Sequence, residues 1–557
     1  MLKGHPKGLV VLFFSNMGER FGYYTMMAIF TLYFEGSFGI SISNIGIIWG
    51  AFLFSIYFIP LFGGMLADKV GYGKIVAAGI VFMFMGYGML AIPGQAKFFV
   101  FISLFVIALG TGLFKGNLVV ILGNLYEDKK YKKLHDSAFN IYYMGINIGA
   151  FFSPFAAAGI RNFLLKGDGF VYNAKIPGMA HQFLKGTLEN VAEYETIARN
   201  MLGTAFTNLT EFSNQYVASL GRGYNAGFAI ASVSIIISLV IFLVFKKYYK
   251  HADYLQKDRM KEDKTIVELT PQQTKNRIFA LIMVFAVVVF FWMAFHQNGL
   301  ILTVFAKNYT AGTVGPLTKL LFDLPAFLSI IAVLMGLVFL LMKRFSGKLK
   351  ITGLLLVIGG ALVGYWRYGI FKGLGDGNPI SPELFQSFNP IFIVFLTPLV
   401  LGFFAYWRSK KKEPSTPRKI GIGMLIMGVG WIVLITAVLS NNLQSPADLI
   451  NVGSVSSVLV SPYWLISMYF GMTIAELFIS PMGLAYVAKV APPKLRGTLQ
   501  GGWLAATAVG NLLSGVMATP YAKLELWQCY GILVVTSCLA GGIMFAMLKK
   551  LNKLVES

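Results

Sequence analysis

The chain has 557 residues, of which 56% are hydrophobic and only 13% are charged. This composition is too apolar for an ordinary soluble domain, and several apolar runs exceed about 18 residues, the length that predicts a transmembrane helix. Lys and Arg number 47 against 24 Asp and Glu, a net charge of +23, but they crowd into short loops between apolar runs, which indicates membrane topology and excludes nucleic acid as a partner.

Fourteen apolar segments predict an all-α polytopic membrane protein. The predicted spans are 9–34, 45–67, 74–93, 98–125, 137–161, 223–245, 278–306, 326–343, 351–370, 388–408, 419–440, 461–489, 498–519 and 525–548. The loops on the side of the N-terminus are basic, as in Glu127–Asp136 and Arg408–Lys419. The positive-inside rule therefore predicts that both termini are cytoplasmic.

The spacing of the spans predicts two six-helix bundles. Residues 1–245 are predicted to form the N-terminal bundle, residues 246–277 a cytoplasmic linker and residues 278–557 the C-terminal bundle. A long extracytoplasmic loop at 162–222 in the first bundle is expected to contain one or two surface helices around 185–218. A helical hairpin at 326–370 is inserted in the second bundle. Two halves of six helices around a central cavity are a common plan of transporters.

The first span carries charges that a lipid-facing helix would not tolerate. Glu19 and Arg20 lie in the middle of its apolar run, and Arg20 shares a helical stripe with Asn16, Tyr23 and Met27. Because an ionisable side chain at the bilayer centre costs roughly 2.5 to 3.5 kcal/mol, this stripe is predicted to face a protein interior or a wet cavity. The alternative is a purely structural ion pair between helices.

Several motifs, in chain order, indicate a family. The loop Gly63–Lys74, which contains Gly64, Asp68, Lys69 and Gly71, resembles the loop signature of the major facilitator superfamily. Further matches are Glu19-Arg20-Phe21-x-Tyr23-Tyr24, Phe114-Lys115-x-Asn117, Phe139-x-x-Tyr142-Tyr143, Phe291-Trp292, Gln297, Gly299, Asn389-Pro390, Trp464, Glu476-Leu477, Ser480-Pro481 and Trp503. Together they resemble the proton-dependent oligopeptide transporters of that superfamily, bacterial di- and tripeptide transporters among them.

The resemblance implies a major facilitator fold and a symporter that imports di- and tripeptides with protons by alternating access. Departures from the family pattern bear on proton coupling. Asn16 stands where the family usually has a glutamate, Met27 where it often has an arginine, and His296 where it normally has an acid. The alternative function is a related carrier of another small anionic or zwitterionic solute, with altered or weak proton coupling.

The charges of the spans suit the two ends of a short peptide. Arg20 and Lys115 leave a surplus of positive charge beside Glu19, which suits a carboxylate, and the isolated Glu476 suits an ammonium group. The two ends of a peptide of two or three residues lie at most about 6 to 11 Å apart. Further candidates are side-chain amides that could bind the peptide group and aromatic residues that could form the walls of the site, and each has helix packing as its alternative role. The amides are Asn147 and Asn389, and the aromatic residues are Tyr23, Tyr57, Trp292 and Trp503.

Proton coupling requires a group that titrates near the working pH. His296, with an ordinary pKa of about 6.5, is such a group, whereas Asn16 cannot titrate. We therefore expect Glu19 and His296 to share this role, Glu19 releasing a cation for the substrate when it is protonated. The alternative is that His296 only makes hydrogen bonds beside Gln297.

Other classes of protein fit less well. The five histidines show no metal-binding spacing, and no paired nucleophile and base is evident, so neither an enzyme nor a metal or cofactor is predicted. The cytoplasmic segments are too short for the signalling domain of a sensor. The expected partners are peptides, protons and membrane lipid, and the expected state is a monomer in the bacterial inner membrane.

Overall fold

The computed structural model describes residues 4–128, 130–254, 269–342, 345–450, 453, 455–492 and 495–556. Part of the predicted linker, 255–268, and parts of three predicted basic loops, at 129, 343–344 and 493–494, lie outside the described residues. The described chain is mainly helical, as its apolar runs predict. Its two strands, β1 (Thr313–Val314) and β2 (Asn378–Pro379), form one short antiparallel pair.

The N-terminal half contains six long helices and two short ones. They are α1 (Lys7–Phe38), α2 (Ile42–Val70), α3 (Tyr72–Leu90), α4 (Lys97–Leu125), α5 (His135–Gly167), α6 (Lys175–Leu184), α7 (Val191–Leu202) and α8 (Leu209–Val244). The segment predicted as the loop 162–222 is thus largely helical. Asn208 begins α8 well before the predicted span at 223–245, because its side chain accepts the backbone N–H of Glu211 as an N-cap.

The C-terminal half contains eleven helices among the described residues. They are α9 (Pro271–Phe295), α10 (Ile301–Asn308), α11 (Pro316–Lys319), α12 (Leu324–Leu341), α13 (Gly347–Lys372), α14 (Phe388–Ser409), α15 (Thr416–Ser440), α16 (Pro462–Val490), α17 (Arg496–Val516), α18 (Ala518–Lys523) and α19 (Leu526–Glu556). Thr270 and Gln273 form a reciprocal capping box at the start of α9.

The span predicted at 278–306 is not one continuous helix. The α9 helix ends at Phe295, a 3₁₀ turn occupies His296–Gly299, and α10 begins at Ile301. Between them, Leu300 has φ −114° and ψ −91°, outside the helical region. The break frees backbone carbonyls in the middle of the span, which must find partners on neighbouring helices.

The inserted hairpin consists of α12 and α13, which pack closely on each other. A Cβ atom at Gly336 would lie 2.5 Å from the carbonyl oxygen of Gly353, so only glycine permits this approach. Only 11% of the apolar stretch of α13 is buried, which places this helix at the periphery of the protein. The strands β1 and β2 flank the hairpin in sequence and join its two ends.

Twelve helices in the described part of the chain are long and apolar enough to cross a membrane, with Pro271–Asn308 taken as one. The helices α1 and α17 fall outside this set, although they coincide with the predicted spans 9–34 and 498–519. The polytopic helical architecture is therefore confirmed. The total of fourteen spans stays a prediction.

The two halves meet where α2 packs on α17. A Cβ atom at Gly515 would lie 2.1 Å from the carbonyl oxygen of Gly46 and 2.8 Å from the backbone of Gly50. Small residues of this kind let helix backbones approach each other closely in membrane proteins.

Candidate functional site

The charges of the first span form a buried ion pair within α1. Arg20 donates from Nη2 to Oε1 of Glu19 at 2.5 Å and from Nε to the other carboxylate oxygen. Glu19 is fully buried and Arg20 is 5% exposed. The guanidinium carbon lies 4.9 Å from the ring centroid of Tyr23. Arg20 is therefore neutralised by Glu19 in this structure and is available to another anion only if that pair separates.

The lysine of the fourth span lies on an aromatic ring. The Nζ atom of Lys115 on α4 is 3.5 Å from the ring centroid of Tyr57 on α2, a close cation–π contact. Lys115 also interacts electrostatically with Arg20 and Glu19. Within the described residues it has no salt-bridge partner. Because Glu19 is already paired with Arg20, the face of the Tyr57 ring is the immediate partner of the Lys115 charge.

The histidine of the seventh predicted span lies at the helix break, among aromatic rings. His296 is 6.0 Å from Tyr57 and 5.4 Å from both Trp292 and Phe295, measured between ring centroids. Its electrostatic neighbour is Lys115. Its Nδ1 atom and the Nε1 atom of Trp292 are buried without a hydrogen-bond partner among the described residues. A proton added at Nδ1 of His296 would therefore be repelled by Lys115, but it would displace no hydrogen bond to a described residue.

The acid of the predicted span 461–489, Glu476 in α16, is held by an amide. Asn389 at the start of α14 donates from Nδ2 to Oε2 of Glu476 at 2.9 Å and to Oγ1 of Thr473 at 3.0 Å. Glu476 is partly exposed. No cation forms a salt bridge with it within the described part of the chain. Its carboxylate is thus oriented but not neutralised, as a receptor for an ammonium group requires.

Two tyrosines connect the charges of the two halves. Tyr24 and Tyr57 each interact electrostatically with Arg20 of the first half and with Glu476 of the second. Lys115 lies directly on the ring of Tyr57. Each charge has its own immediate neighbour. Arg20 and Glu476 both act on Tyr24 and Tyr57, and Lys115 lies on the ring of Tyr57, so the three charges lie around one region between the halves.

The helix break supplies polar backbone to this region. The hydroxyl of Thr31 on α1 donates a hydrogen bond to the carbonyl of Gly299 at 2.7 Å, and the hydroxyl of Tyr469 on α16 donates to the carbonyl of Asn298 at 3.1 Å. Gln297 donates to the carbonyl of Ser514 at 3.0 Å. These contacts join the broken helix to both halves. The sequence signal was the Asn-Gly dipeptide after His296, which marks a turn even inside an apolar run.

Three of the predicted site residues make packing contacts with their own helix or with neighbouring helices. Asn147 donates to the carbonyl of Tyr143 on the same helix at 3.1 Å. Trp503 is buried against Gly483, where a Cβ atom would clash with its ring, and lies 6.2 Å from Phe285 between ring centroids. Tyr23 is buried beside Arg20, as described above. The packing role considered for Asn147 and Trp503 accounts for these contacts.

The loop motif forms a tight turn between α2 and α3. Gly71 has φ 110° and ψ 136°, a conformation essentially confined to glycine. Asp68 accepts the hydroxyl of Tyr72 at 2.5 Å, and Lys69 is exposed. The N–H of Gly73 donates to Oδ1 of Asp253 at 2.8 Å, so the segment after α8 caps the start of α3. Gly64 lies in α2 with open space beside it.

Two ion pairs that the sequence did not reveal join the halves at the ends opposite the N-terminus. Arg161 at the end of α5 contacts Glu383 before α14 at 2.6 Å, and both side chains are fully buried. Lys307 in α10 contacts Glu35 in α1 at 2.6 Å. Because each pair links the two halves, separation of the halves at this end must break both.

Comparison with known proteins places these features in a family. A sequence profile described as "PTR2: POT family" matches residues 73–270 and 374–532. The chain is 25% identical over 562 residues to the uncharacterized transporter YclF of Bacillus subtilis (strain 168), a match that covers 98% of this chain and 94% of that protein.

Peptide carriers are also among the relatives. The chain is 26% identical over 539 residues to peptide transporter YePEPT of Yersinia enterocolitica subsp. palearctica serotype O:3 (strain YE-P4), covering 92% of this chain and 88% of that one. It is 25% identical over 527 residues to dipeptide and tripeptide permease A of Escherichia coli (strain K12), covering 92% and 84%.

Solved structures share the fold. The crystal structure of a peptide transporter POT in complex with sulfate superposes with a TM-score of 0.65 at 22% identity, covering 100% of this chain and 97% of that chain. A POT family transporter in complex with 5-aminolevulinic acid gives a TM-score of 0.65 at 20% identity, covering 99% and 98%. The chain therefore shares the overall fold of these solved structures along nearly its whole length.

Proposed function

The chain belongs to the POT family of transporters, and from that membership we propose that it is a secondary active symporter that imports di- and tripeptides with protons. The observation that carries the proposal is the meeting of opposite charges from both halves around Tyr24 and Tyr57. A zwitterionic peptide has one charge at each end, and this region offers cations on one side and an acid on the other. The protein is a carrier and not an enzyme.

The N-terminal half binds the carboxylate of the peptide in this proposal. Lys115 is the primary partner, because it lies on the ring of Tyr57 and has no salt bridge within the described residues. Arg20 becomes a second, bidentate partner once Glu19 releases it. Tyr23 and Tyr57 support the two cations with their ring faces.

The C-terminal half binds the ammonium group. Glu476 presents one carboxylate oxygen to Asn389 and keeps the other for the ligand. Asn389, Asn147, Trp292 and Trp503 are proposed as the remaining contacts to the peptide amide and side chains.

Proton coupling begins at the Glu19–Arg20 pair. Protonation of Glu19 removes the charge that holds Arg20 and so makes the guanidinium available to the peptide carboxylate. His296 is proposed as the second coupling group, because its Nδ1 atom is unpartnered and Lys115 is its electrostatic neighbour. A proton on His296 then becomes more favourable when the peptide carboxylate compensates Lys115. Substrate and proton thereby favour each other's binding.

Alternating access requires the ends of the halves to separate in turn. The buried pairs Arg161–Glu383 and Lys307–Glu35 keep the end opposite the N-terminus closed in this structure. We assign that end to the extracytoplasmic side, with both termini in the cytoplasm of a bacterial inner-membrane protein that acts as a monomer. The proposed units stay 1–245, 246–277 and 278–557. The turn at Gly64, Asp68, Lys69 and Gly71 is proposed to fix the geometry of the cytoplasmic end.

A second candidate within transport is a smaller zwitterionic or anionic solute with weaker proton coupling. Asn16 and Met27 are both buried in α1, and the Nδ2 atom of Asn16 has no hydrogen-bond partner within the described residues. One solved relative was crystallised with 5-aminolevulinic acid. Competition of labelled dipeptide uptake by unlabelled dipeptides, amino acids and 5-aminolevulinic acid separates the two candidates.

The test is uptake of a labelled dipeptide into proteoliposomes at two external pH values. We expect accumulation that rises with an inward proton gradient and is abolished by Lys115→Gln. The matched control is Lys166→Gln, which removes the same charge from an exposed position at the end of α5. Uptake that is absent from the wild type, or equally reduced by both variants, would refute the proposal.

A further inference from the structure

A crevice opens between α1 and α8 at the end of the protein that carries the N-terminus. It has a volume of about 390 Å³ and is lined by Lys7, Val10, Val11 and Phe14 of α1 and by Ile241, Phe245 and Tyr248 of α8 and the turn after it. Apart from Lys7 and the hydroxyl of Tyr248, the lining side chains are apolar. Phe14 and Phe245 are each 43% exposed, so the crevice faces the membrane rather than the centre of the protein.

The walls of the crevice are fixed by tight packing further along the same two helices. Ser15 and Ser238 exchange hydrogen bonds, each hydroxyl donating to the carbonyl of the other residue at 3.1 and 2.7 Å. A Cβ atom at Gly22 would lie 2.9 Å from the hydroxyl oxygen of Ser234. Because α1 and α8 are joined in this way, the crevice is a preformed cleft rather than a consequence of loose packing.

Two lysines gather at the open edge of the crevice. The Nζ atoms of Lys7 and Lys247 lie 5.6 and 5.2 Å from the ring centroid of Tyr248. Neither lysine forms a salt bridge within the described residues, and the exposed Lys250 follows closely in the chain. The edge of the crevice therefore carries positive charge that no described acid neutralises.

A second crevice at the cytoplasmic end provides a contrast. It has a volume of about 280 Å³ and is lined by Phe403, Phe404, Trp407, Pro414, Ile422 and Phe478. Beside it, Arg408 and Lys419 both bind Glu413 at 2.6 Å. The cations there are already paired, whereas those of the crevice between α1 and α8 are not.

We propose that the crevice between α1 and α8 binds an anionic phospholipid. An acyl chain occupies the apolar cleft, and the phosphate and the negatively charged headgroup contact Lys7, Lys247 and the hydroxyl of Tyr248. The net negative charge of the lipid is what the unpaired lysines select, because a zwitterionic headgroup offers them no surplus charge. The assignment to the cytoplasmic leaflet rests on the proposed orientation of the transporter.

Native mass spectrometry of the delipidated full-length protein tests the proposal, with phosphatidylglycerol and phosphatidylcholine of the same acyl chains as probes. We expect the wild type to bind phosphatidylglycerol more tightly than phosphatidylcholine. Lys7→Gln and Lys247→Gln should each weaken phosphatidylglycerol binding about fivefold, which corresponds to about 1 kcal/mol for one lysine near the lipid surface. The control Lys549→Gln/Lys553→Gln removes two exposed lysines at the end of α19 and should change it less than twofold.

A photoactivatable phosphatidylglycerol with its reactive group on the acyl chain locates the site. We expect its crosslinks at residues 10–14 and 241–245. Equal affinity for the two lipids, an equal loss in the control variant, or crosslinks concentrated elsewhere would each overturn the proposal. The lipid-binding measurement contains no peptide. A failure to bind phosphatidylglycerol therefore does not affect the proposal of peptide transport, and a failure of peptide uptake does not affect the lipid result.

Discussion

Replacing Glu383 with glutamine should open the end of the transporter opposite its N-terminus. Arg161 and Glu383 are both fully buried and are 2.6 Å apart, so the substitution leaves a buried guanidinium without its counter-charge in the closed state. When the halves separate at this end, water reaches Arg161 and the cost disappears. The substitution therefore destabilises the closed state relative to the open one.

The size of the effect follows from the burial of the pair. Removing one partner of a buried ion pair costs about 3 to 5 kcal/mol. Arg161 keeps a hydrogen bond to Oγ of Ser381 at 3.0 Å and a contact 3.7 Å from the ring centroid of Tyr172, so we expect the lower end of the range. About 3 kcal/mol corresponds to a shift of roughly 150-fold in the ratio of closed to open protein.

Distances between spin labels measure this shift. Labels at Lys166→Cys and Ser440→Cys, both exposed positions on opposite halves, in a Cys529→Ala/Cys538→Ala background, report the separation at this end. The distance distribution should move to longer values in Glu383→Gln, and net peptide uptake should fall.

Two further variants test whether the loss of the buried counter-charge causes the opening. Glu35→Gln should give a smaller shift, because Glu35 keeps 21% exposure of its side chain. Arg161→Met/Glu383→Leu should restore the short distance, because an apolar pair of similar volume is neutral or stabilising where a buried ion pair stood. An unchanged distance in Glu383→Gln, or a double variant as open as the single one, would contradict the argument.

Three other predictions concern coupling, the turn between α2 and α3, and pH. Glu19→Gln should abolish gradient-driven accumulation in proteoliposomes while peptide exchange continues, and His296→Gln should weaken the dependence on the gradient; an unchanged dependence rules His296 out. Gly71→Ala should lower the free energy of unfolding by about 1 to 3 kcal/mol through backbone strain alone, because nothing lies within 4 Å of its Cβ position. The control Gly64→Ala is equally unhindered but helical and should not lower the stability measured by thermal unfolding. Hydrogen bonds from Arg408 and Lys419 lower the pKa of Glu413 from 4.5 to about 2. The contribution of Glu413 to stability is therefore present above pH 4.5 and lost as the pH falls towards 2. Over this range the midpoint of thermal unfolding should decline less in Glu413→Gln than in the wild type.

The architecture and the central charges followed from the sequence because they rest on local rules. Apolar runs longer than a membrane crossing predict helices wherever they occur, and charges within such runs need a buried partner or a wet cavity. Arg20 and Glu476 accordingly both lie near Tyr24 and Tyr57, and Lys115 lies on the ring of Tyr57. Their roles in binding stay predictions.

Features that depend on distant parts of the chain did not follow from the sequence. Arg161 and Glu383 lie 222 residues apart in sequence, and neither is unusual in its own segment. The break at His296–Gly299 is stabilised by Thr31 and Tyr469 from other helices, so the apolar pattern alone predicted one continuous span. The early start of α8 was missed for a different reason, since its first turns are polar and carry no membrane signal.

In the proposed mechanism, charges from the two halves hold opposite ends of one peptide. The most direct measurement is the affinity of the purified wild type, Lys115→Gln and Glu476→Gln for dialanine, N-acetyl-dialanine and dialanine amide, by isothermal titration calorimetry. Loss of a charged contact costs about 1.5 to 3 kcal/mol. We predict that Glu476→Gln loses only the preference for a free amino terminus and Lys115→Gln only the preference for a free carboxylate. If both variants lose both preferences equally, or neither variant loses either, the two residues do not grip opposite ends of the same ligand.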